Sequence, residues 1–182
     1  MNRTVSTSLV LALIASCSSA ATTLLRRLCH DSADLTLPLV DACSSAASDT
    51  RFRFALLGGS GDWQLTETIR RAAPERCENF AGRTTLPELI EVLRRCELLV
   101  TNDTGPMPLA AALRRPVVSL FGPTRPDQTG PYGQTHLALT RPLPCAPCMK
   151  SRCHWAEPLA CLRGLSPARV ADEVVHRLET EF

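Results

Sequence analysis

Three stretches of the sequence carry residue types that could do chemistry. The first is Asn102-Asp103-Thr104-Gly105, which lies between an apolar run, Glu97–Thr101, and a helical pattern reaching Leu113. A helix start offers unpaired N–H groups and partial positive charge, which suits a diphosphate. Gly105 would let a ligand approach the backbone closely, and Thr104 can donate its hydroxyl. An ionised Asp103 only accepts hydrogen bonds, so it would face hydroxyls such as those of a sugar, or else simply cap the helix. The second stretch is Cys145-x2-Cys148-x4-Cys153-x7-Cys161, with His154 alongside. Four thiolates so spaced could hold zinc tetrahedrally or an iron–sulfur cluster. Reduced structural thiols or one local disulfide would also account for them. Lys150 and Arg152 close by would favour thiolates. The third, Gly58-Gly59-Ser60-Gly61, follows a short apolar run. It reads as a nucleotide cradle or a plain turn, and matches neither the dinucleotide nor the P-loop pattern.

These residues need elements to position them. Phe52–Leu57, Glu97–Thr101 and Val117–Phe121 read as strands, with shorter ones at Cys77–Ala81 and His136–Thr140. Between them lie helical patterns. Asp62 precedes Trp63–Ala73, and Thr85-Leu86-Pro87-Glu88 is a capping box opening Leu86–Arg95. That helix places Leu86, Leu89, Ile90 and Leu93 on one face. Ser166-Pro167 opens a last helix, Ala168–Leu178. Alternating strands and helices imply an α/β fold, a Rossmann-like parallel sheet with helices on both faces. Ligands of such sheets bind beyond the carboxyl ends of the strands. The Asn102–Pro106 and Gly122–Gly133 loops leave neighbouring strands there.

Residues 1–50 differ from residues 51–182. They are rich in Ser, Ala, Thr and Leu and contain no glycine. Arg3 before the apolar Leu9–Ala15 resembles a short signal peptide, and Ile14-Ala15-Ser16-Cys17 a lipoprotein cleavage box. A chance apolar helix or a displaced start would read the same way. Export would follow from the first reading, a cytoplasmic protein from the others. Cys17, Cys29, Cys43, Cys77 and Cys96 are scattered and read as small core hydrophobes, and the His30-Asp31 pair as surface. The 182 residues carry a net charge of only +2, without the basic excess of a nucleic-acid binder. No apolar run is long enough for a transmembrane span.

Val100-Thr101-Asn102-Asp103-Thr104-Gly105-Pro106-Met107 with Leu109–Leu113, and Arg115-Pro116-Val117-Val118-Ser119-Leu120-Phe121-Gly122-Pro123-Thr124, resemble glycosyltransferase family 9, the ADP-heptose:lipopolysaccharide heptosyltransferases. Thr129-Gly130-Pro131-Tyr132-Gly133, the cysteine cluster and Leu165-Ser166-Pro167 continue the likeness, the Cys145–Cys161 stretch being most similar to the heptosyltransferase II branch. The resemblance implies the carboxyl-terminal half of a two-domain GT-B enzyme, a nucleotide-sugar-binding domain over residues 51–182. Its donor would be ADP-heptose and its acceptor the lipopolysaccharide inner core, at the inner face of the inner membrane. Asn102, Asp103, Thr104 and Gly105 would hold heptose and diphosphate; Gly59, Ser60, Thr85 and Leu86 would lie near the adenosine. No cofactor is implied, and zinc at the cysteines remains an open alternative.

The sequence also departs from the family. Pro108 stands where the motif carries His, and the only lysine is Lys150, so the phosphate-binding lysine of a first donor-domain strand has no counterpart before Arg53. The acceptor domain and its catalytic base are not recognisable. The expectation is a donor half, inactive alone, with an open sheet edge where that first strand is missing. A non-catalytic nucleotide- or partner-binding module, or a metal module built on the cysteines, would be the other readings.

Overall fold

The computed structural model describes residues 10–14, 53–150 and 153–180. Cys17, Cys29, Cys43, the His30-Asp31 pair, Arg3 and Arg152 lie outside them. Six strands form one sheet: β1 (Val10–Ile14), β2 (Arg53–Leu57), β3 (Cys77–Asn79), β4 (Leu98–Asn102), β5 (Val117–Phe121) and β6 (Leu139–Thr140). Their spatial order is β3-β2-β1-β4-β5-β6. Pairs β2/β3, β4/β5 and β5/β6 are parallel. This is the doubly wound order, whose direction reverses between the first and fourth strands.

β1 differs from that pattern. It runs antiparallel to both neighbours, with Val10 opposite Leu57 and Thr101, and Ile14 opposite Arg53. The apolar run that resembles a signal peptide is therefore neither a helix nor an appendage here. It is the central strand, and it closes the edge expected to stand open. β2 and β4 remain parallel to each other, because each is antiparallel to β1. The carboxyl ends of β2 to β6 thus share one edge of the sheet, and the amino end of β1 joins them.

The helices are α1 (Trp63–Ala72), α2 (Leu86–Arg95), α3 (Pro106–Ala112), α4 (Pro126–Thr129), α5 (Ala160–Arg163) and α6 (Pro167–Thr180). Strand side chains alternate between two cores. Phe54, Leu56, Leu98, Val100, Val118 and Leu120 face Ile69 of α1 and Val170, Ala171 and Val174 of α6. Ala55, Leu57, Leu99, Val117 and Phe121 face Val92 and Leu93 of α2 and Met107 and Ala110 of α3. Because both faces are covered, β4 and β5 are buried along their whole length. Burial on both faces explains their unbroken apolar runs.

Two local readings change. On α2 the buried pair is Val92 and Leu93, whereas Leu86, expected on the inner face, is 61% exposed. Leu86 is the first residue of the helix, and burial is confined to its second half. Asp62 does not cap α1 with its side chain. Its Oδ2 turns back and accepts the Gly59 N–H at 2.7 Å, tightening the turn after β2. The final helix begins at Pro167 and reaches Thr180, and the strand after the Gly122–Gly133 loop is confined to Leu139–Thr140, after a 3-10 turn at Thr135–Leu137. Among the described residues no helix is long and apolar enough to cross a membrane.

α1 is tied to β3 by one carboxylate. Glu67 accepts from Arg70 at 2.7 Å and from the Asn79 amide at 3.1 Å, and Asn79 Oδ1 accepts the Ala81 N–H. The Arg70 hydrogen bond, against an opposing desolvation cost, lowers the Glu67 carboxyl from 4.5 to about 2.

Two outcomes follow. Ala12→Pro removes a ladder donor from the middle of the sheet. It should cost about 1–3 kcal/mol in urea unfolding, and unchanged stability would deny β1 its place. Glu67 stabilises the fold fully above pH 4.5 and loses that contribution as pH falls toward 2. Glu67→Gln should therefore flatten the acid limb of stability across that window, by on the order of 1 kcal/mol after solvent screening.

Candidate functional site

The site is built at the edge where the strands end. β2 delivers the glycine turn. Its compactness comes from a close approach: Gly82, after β3, donates its N–H to the Gly58 carbonyl at 3.0 Å. A Cβ on Gly82 would stand 2.7 Å from the Ser60 Cα, and its φ of +67° suits glycine alone. Arg83 then lies over the Trp63 ring, 4.3 Å from its centroid. The Gly58–Gly61 turn and the approach to α2 are thereby one unit. Gly59 and Ser60 are exposed, and so are Thr85 and Leu86. The Thr85 hydroxyl and N–H are already engaged, both donating to Glu88 Oε2 at 2.7 Å. That capping box holds the Glu88 carboxyl below its ordinary range. Arg83 and Trp63 were not singled out in the sequence, because a cation–π pair across 20 residues leaves no local pattern.

β4 delivers Asn102, Asp103, Thr104 and Gly105. Thr104 Oγ1 lies 2.9 Å from Thr101 Oγ1, and so is fixed from below by a buried hydroxyl. Asp103 does not cap α3; Gly105 occupies the cap position, without a side-chain bond. Instead Asp103 Oδ2 accepts the Thr129 hydroxyl at 2.9 Å. The β4 and β5 loops are thus joined through a carboxylate receiving a hydroxyl. Thr129 stands in the Gly122–Gly133 loop, which was legible as a loop but gave no sign of its partner.

The start of α3 is poorer in donors than the helix-start reading expects. Pro106 and Pro108 have no N–H. The Met107 N–H between them donates to the Thr104 carbonyl at 3.1 Å. Gly105 has φ −52°, which any residue adopts, and a Cβ there would meet nothing within 4 Å. Its lack of a side chain therefore leaves open space and answers no demand of the backbone.

β5 ends just before Gly122, where packing is close. A Cβ on Gly122 would lie 2.7 Å from Leu162 Cγ and 2.9 Å from Cys161 Sγ. The cysteine segment is thereby seated under the β5 exit. Among the described residues no three His, Cys, Asp or Glu side chains are grouped as a metal set. Cys145, Cys148, Cys153 and Cys161 are free thiols; Cys161 is buried and the other three are partly so. The scattered Cys77 and Cys96 are fully buried, as core hydrophobes should be, and burial pushes the Cys96 thiol up to about 12.

The model of glycosyltransferase family 9 (heptosyltransferase) matches residues 41–157. Lipooligosaccharide heptosyltransferase 2 of Haemophilus influenzae is 43% identical over 84 residues, covering 44% of this chain and 24% of that protein. Lipooligosaccharide heptosyltransferase 2 of Campylobacter jejuni is 31% identical over 128 residues, covering 66% and 39%. The solved ADP-heptose lps heptosyltransferase II of E. coli superposes with a TM-score of 0.63 at 27% identity, over 81% of this chain and 42% of that one. A family 9 glycosyl transferase from Veillonella parvula, at 21% identity and a TM-score of 0.59, has the same fold. The chain spans about a quarter to two fifths of the length of the curated relatives it matches.

The two glycines should respond oppositely. Gly122→Ala forces a methyl into Leu162 and Cys161 and should destabilise by about 1–3 kcal/mol. Gly105→Ala should leave stability unchanged or raise it by about 0.4–1 kcal/mol. Thermal and urea melts of both variants check this.

Proposed function

The chain belongs to glycosyltransferase family 9, and from that premise we propose that it is the donor-binding half of a heptosyltransferase acting on lipopolysaccharide. The donor is ADP-heptose, bound across the carboxyl ends of β2, β4 and β5. One observation carries this reading: the Asp103 carboxylate at the cleft already accepts a hydroxyl, that of Thr129. An ionised carboxylate so placed discriminates hydroxyls from phosphate oxygens. Sugar hydroxyls replace or extend the Thr129 contact. Thr104 and the open backbone at Gly105 face the diphosphate, with Asn102 shaping the exit of β4. Gly59, Ser60, Thr85 and Leu86 bound the adenosine end, where the exposed Leu86 gives a purine an apolar surface. The prolines at the start of α3 remove two N–H groups that would otherwise stabilise a departing diphosphate.

On this reading residues 51–182 form the nucleotide-sugar domain and the chain works at the cytoplasmic face of the inner membrane. On this reading the lipopolysaccharide core acceptor and the catalytic base belong to the other half of the two-domain enzyme, which residues 51–182 do not form. Positioning is worth about 7–11 kcal/mol of a barrier, and a general base about 10²–10⁴-fold. Without both, transfer falls to background while donor binding persists.

Calorimetry with ADP and ADP-heptose tests the assignment. Asp103→Ala should weaken ADP-heptose by roughly 10–100-fold, the worth of a hydrogen bond to a charged group, and leave ADP within about twofold. Equal losses for both ligands would remove Asp103 from sugar recognition. The unaltered chain, given ADP-heptose and deacylated core acceptor, should release ADP no faster than a blank. Transfer above the blank would overturn the half-enzyme reading.

A further inference from the structure

Three cysteines lie on segments held near the exit of β5, and the donor site proposed above does not use them. Met149 donates its N–H to the Pro123 carbonyl at 2.8 Å, which sets the adjoining Cys148 beside that strand end. Cys161, on α5, places its Sγ against Gly122. Cys153 Sγ accepts the Leu159 N–H at 3.3 Å, two residues before Cys161. Met149 and Leu159, which flank this arrangement, hold φ of +53° and +59°. Left-handed backbone is unfavourable for a non-glycine residue, and such strain marks places where geometry is held for use.

We propose that Cys153 and Cys161 form a reversible dithiol–disulfide site, oxidised by peroxide, with Cys153 as the attacking sulfur. The roles follow from their surroundings. Cys153 is partly exposed, and its sulfur is oriented by the Leu159 N–H. Cys161 is 7% exposed, and its thiol is pushed up first by burial and further by negative charge on Cys153 and on Cys148. It is held as thiol until Cys153 is oxidised. The Cys153 thiolate attacks a peroxide oxygen; the O–O bond breaks, giving sulfenic acid and, after protonation, water. Cys161 then loses its proton and attacks the Cys153 sulfur; the S–S bond forms, the S–O bond breaks, and a second water leaves. Two thiols lose two electrons and one peroxide gains them. Closing the bond draws Cys161 from Gly122, the first residue of the loop that brings Thr129 to Asp103. That link to donor binding rests on the function proposed above; the disulfide does not.

The test uses the full chain, reduced and then treated with hydrogen peroxide, with alkylation and peptide mass mapping. In the reduced chain Cys153 should alkylate at least about tenfold faster than Cys161, as its greater exposure and the burial of Cys161 dictate. Peroxide should yield a peptide pair linked Cys153–Cys161, released by reductant. Cys148→Ser should keep the link, and Cys153→Ser and Cys161→Ser should lose it. A link to Cys148 or Cys145, or over-oxidation of Cys153 with Cys161 still free, would overturn the proposal. So would stoichiometric zinc shielding all four thiols. The mapping of the unaltered chain decides the matter even where a variant folds poorly. An ADP titration in both redox states then reports on the donor loop separately.

Discussion

Two strands buried on both faces cannot stand apart. β2 and β4 present backbone N–H and C=O groups to the space between them, where no water could satisfy them, and such groups are costly when unpaired. β1 fills that space and pairs with both strands. Everything else depends on it. Without the central strand, β2 with β3 and β4 with β5 and β6 would be two small sheets, and the two cores would lose their common floor. The antiparallel direction supplies the hydrogen bonds as well as a parallel strand would. What it does not supply is the turn and helix that follow a parallel first strand at the ligand edge.

That substitution sets the character of the site. Donors that a doubly wound sheet gathers at its reversal point are reduced twice: once because β1 points the other way, and once because Pro106 and Pro108 open α3. What remains at that edge is side chains and open backbone. The Asp103–Thr129 pair ties two loops, Gly105 leaves room, and the turn after β2 is locked against Gly82. The same edge carries closely packed glycines that tolerate no side chain, so it is shaped by packing as much as by charge.

Much of this was legible in the residues. Val117–Phe121 and Leu86–Arg95 could be bounded from sequence because their signals are local: an unbroken apolar run between Pro116 and Gly122, and a capping box at Thr85. The family could be read because the Asn102–Pro106 and Gly122–Thr124 loops keep their order and spacing. Leu86 was misplaced because helical periodicity says which residues share a face and not how far the sheet beneath extends. Leu9–Ala15 was opaque for a deeper reason. Seven apolar residues fit a signal peptide, a helix or a buried strand equally well, and only the vacancy between β2 and β4 chooses among them. The Thr129 and Arg83 contacts belong to chain folding over itself, which no spacing records.

The reversed direction of β1 also fixes the traffic of the chain. Val10 sits at the edge where β2 and β4 end, and Ile14 at the opposite edge, beside Arg53. The backbone therefore enters β1 at the edge that carries the candidate site. A tag or fusion partner joined directly to Val10 would start from that edge, with no change to a residue of the sheet. For binding studies the carboxyl-terminus, beyond α6, is the attachment point that avoids the emerging β1 strand.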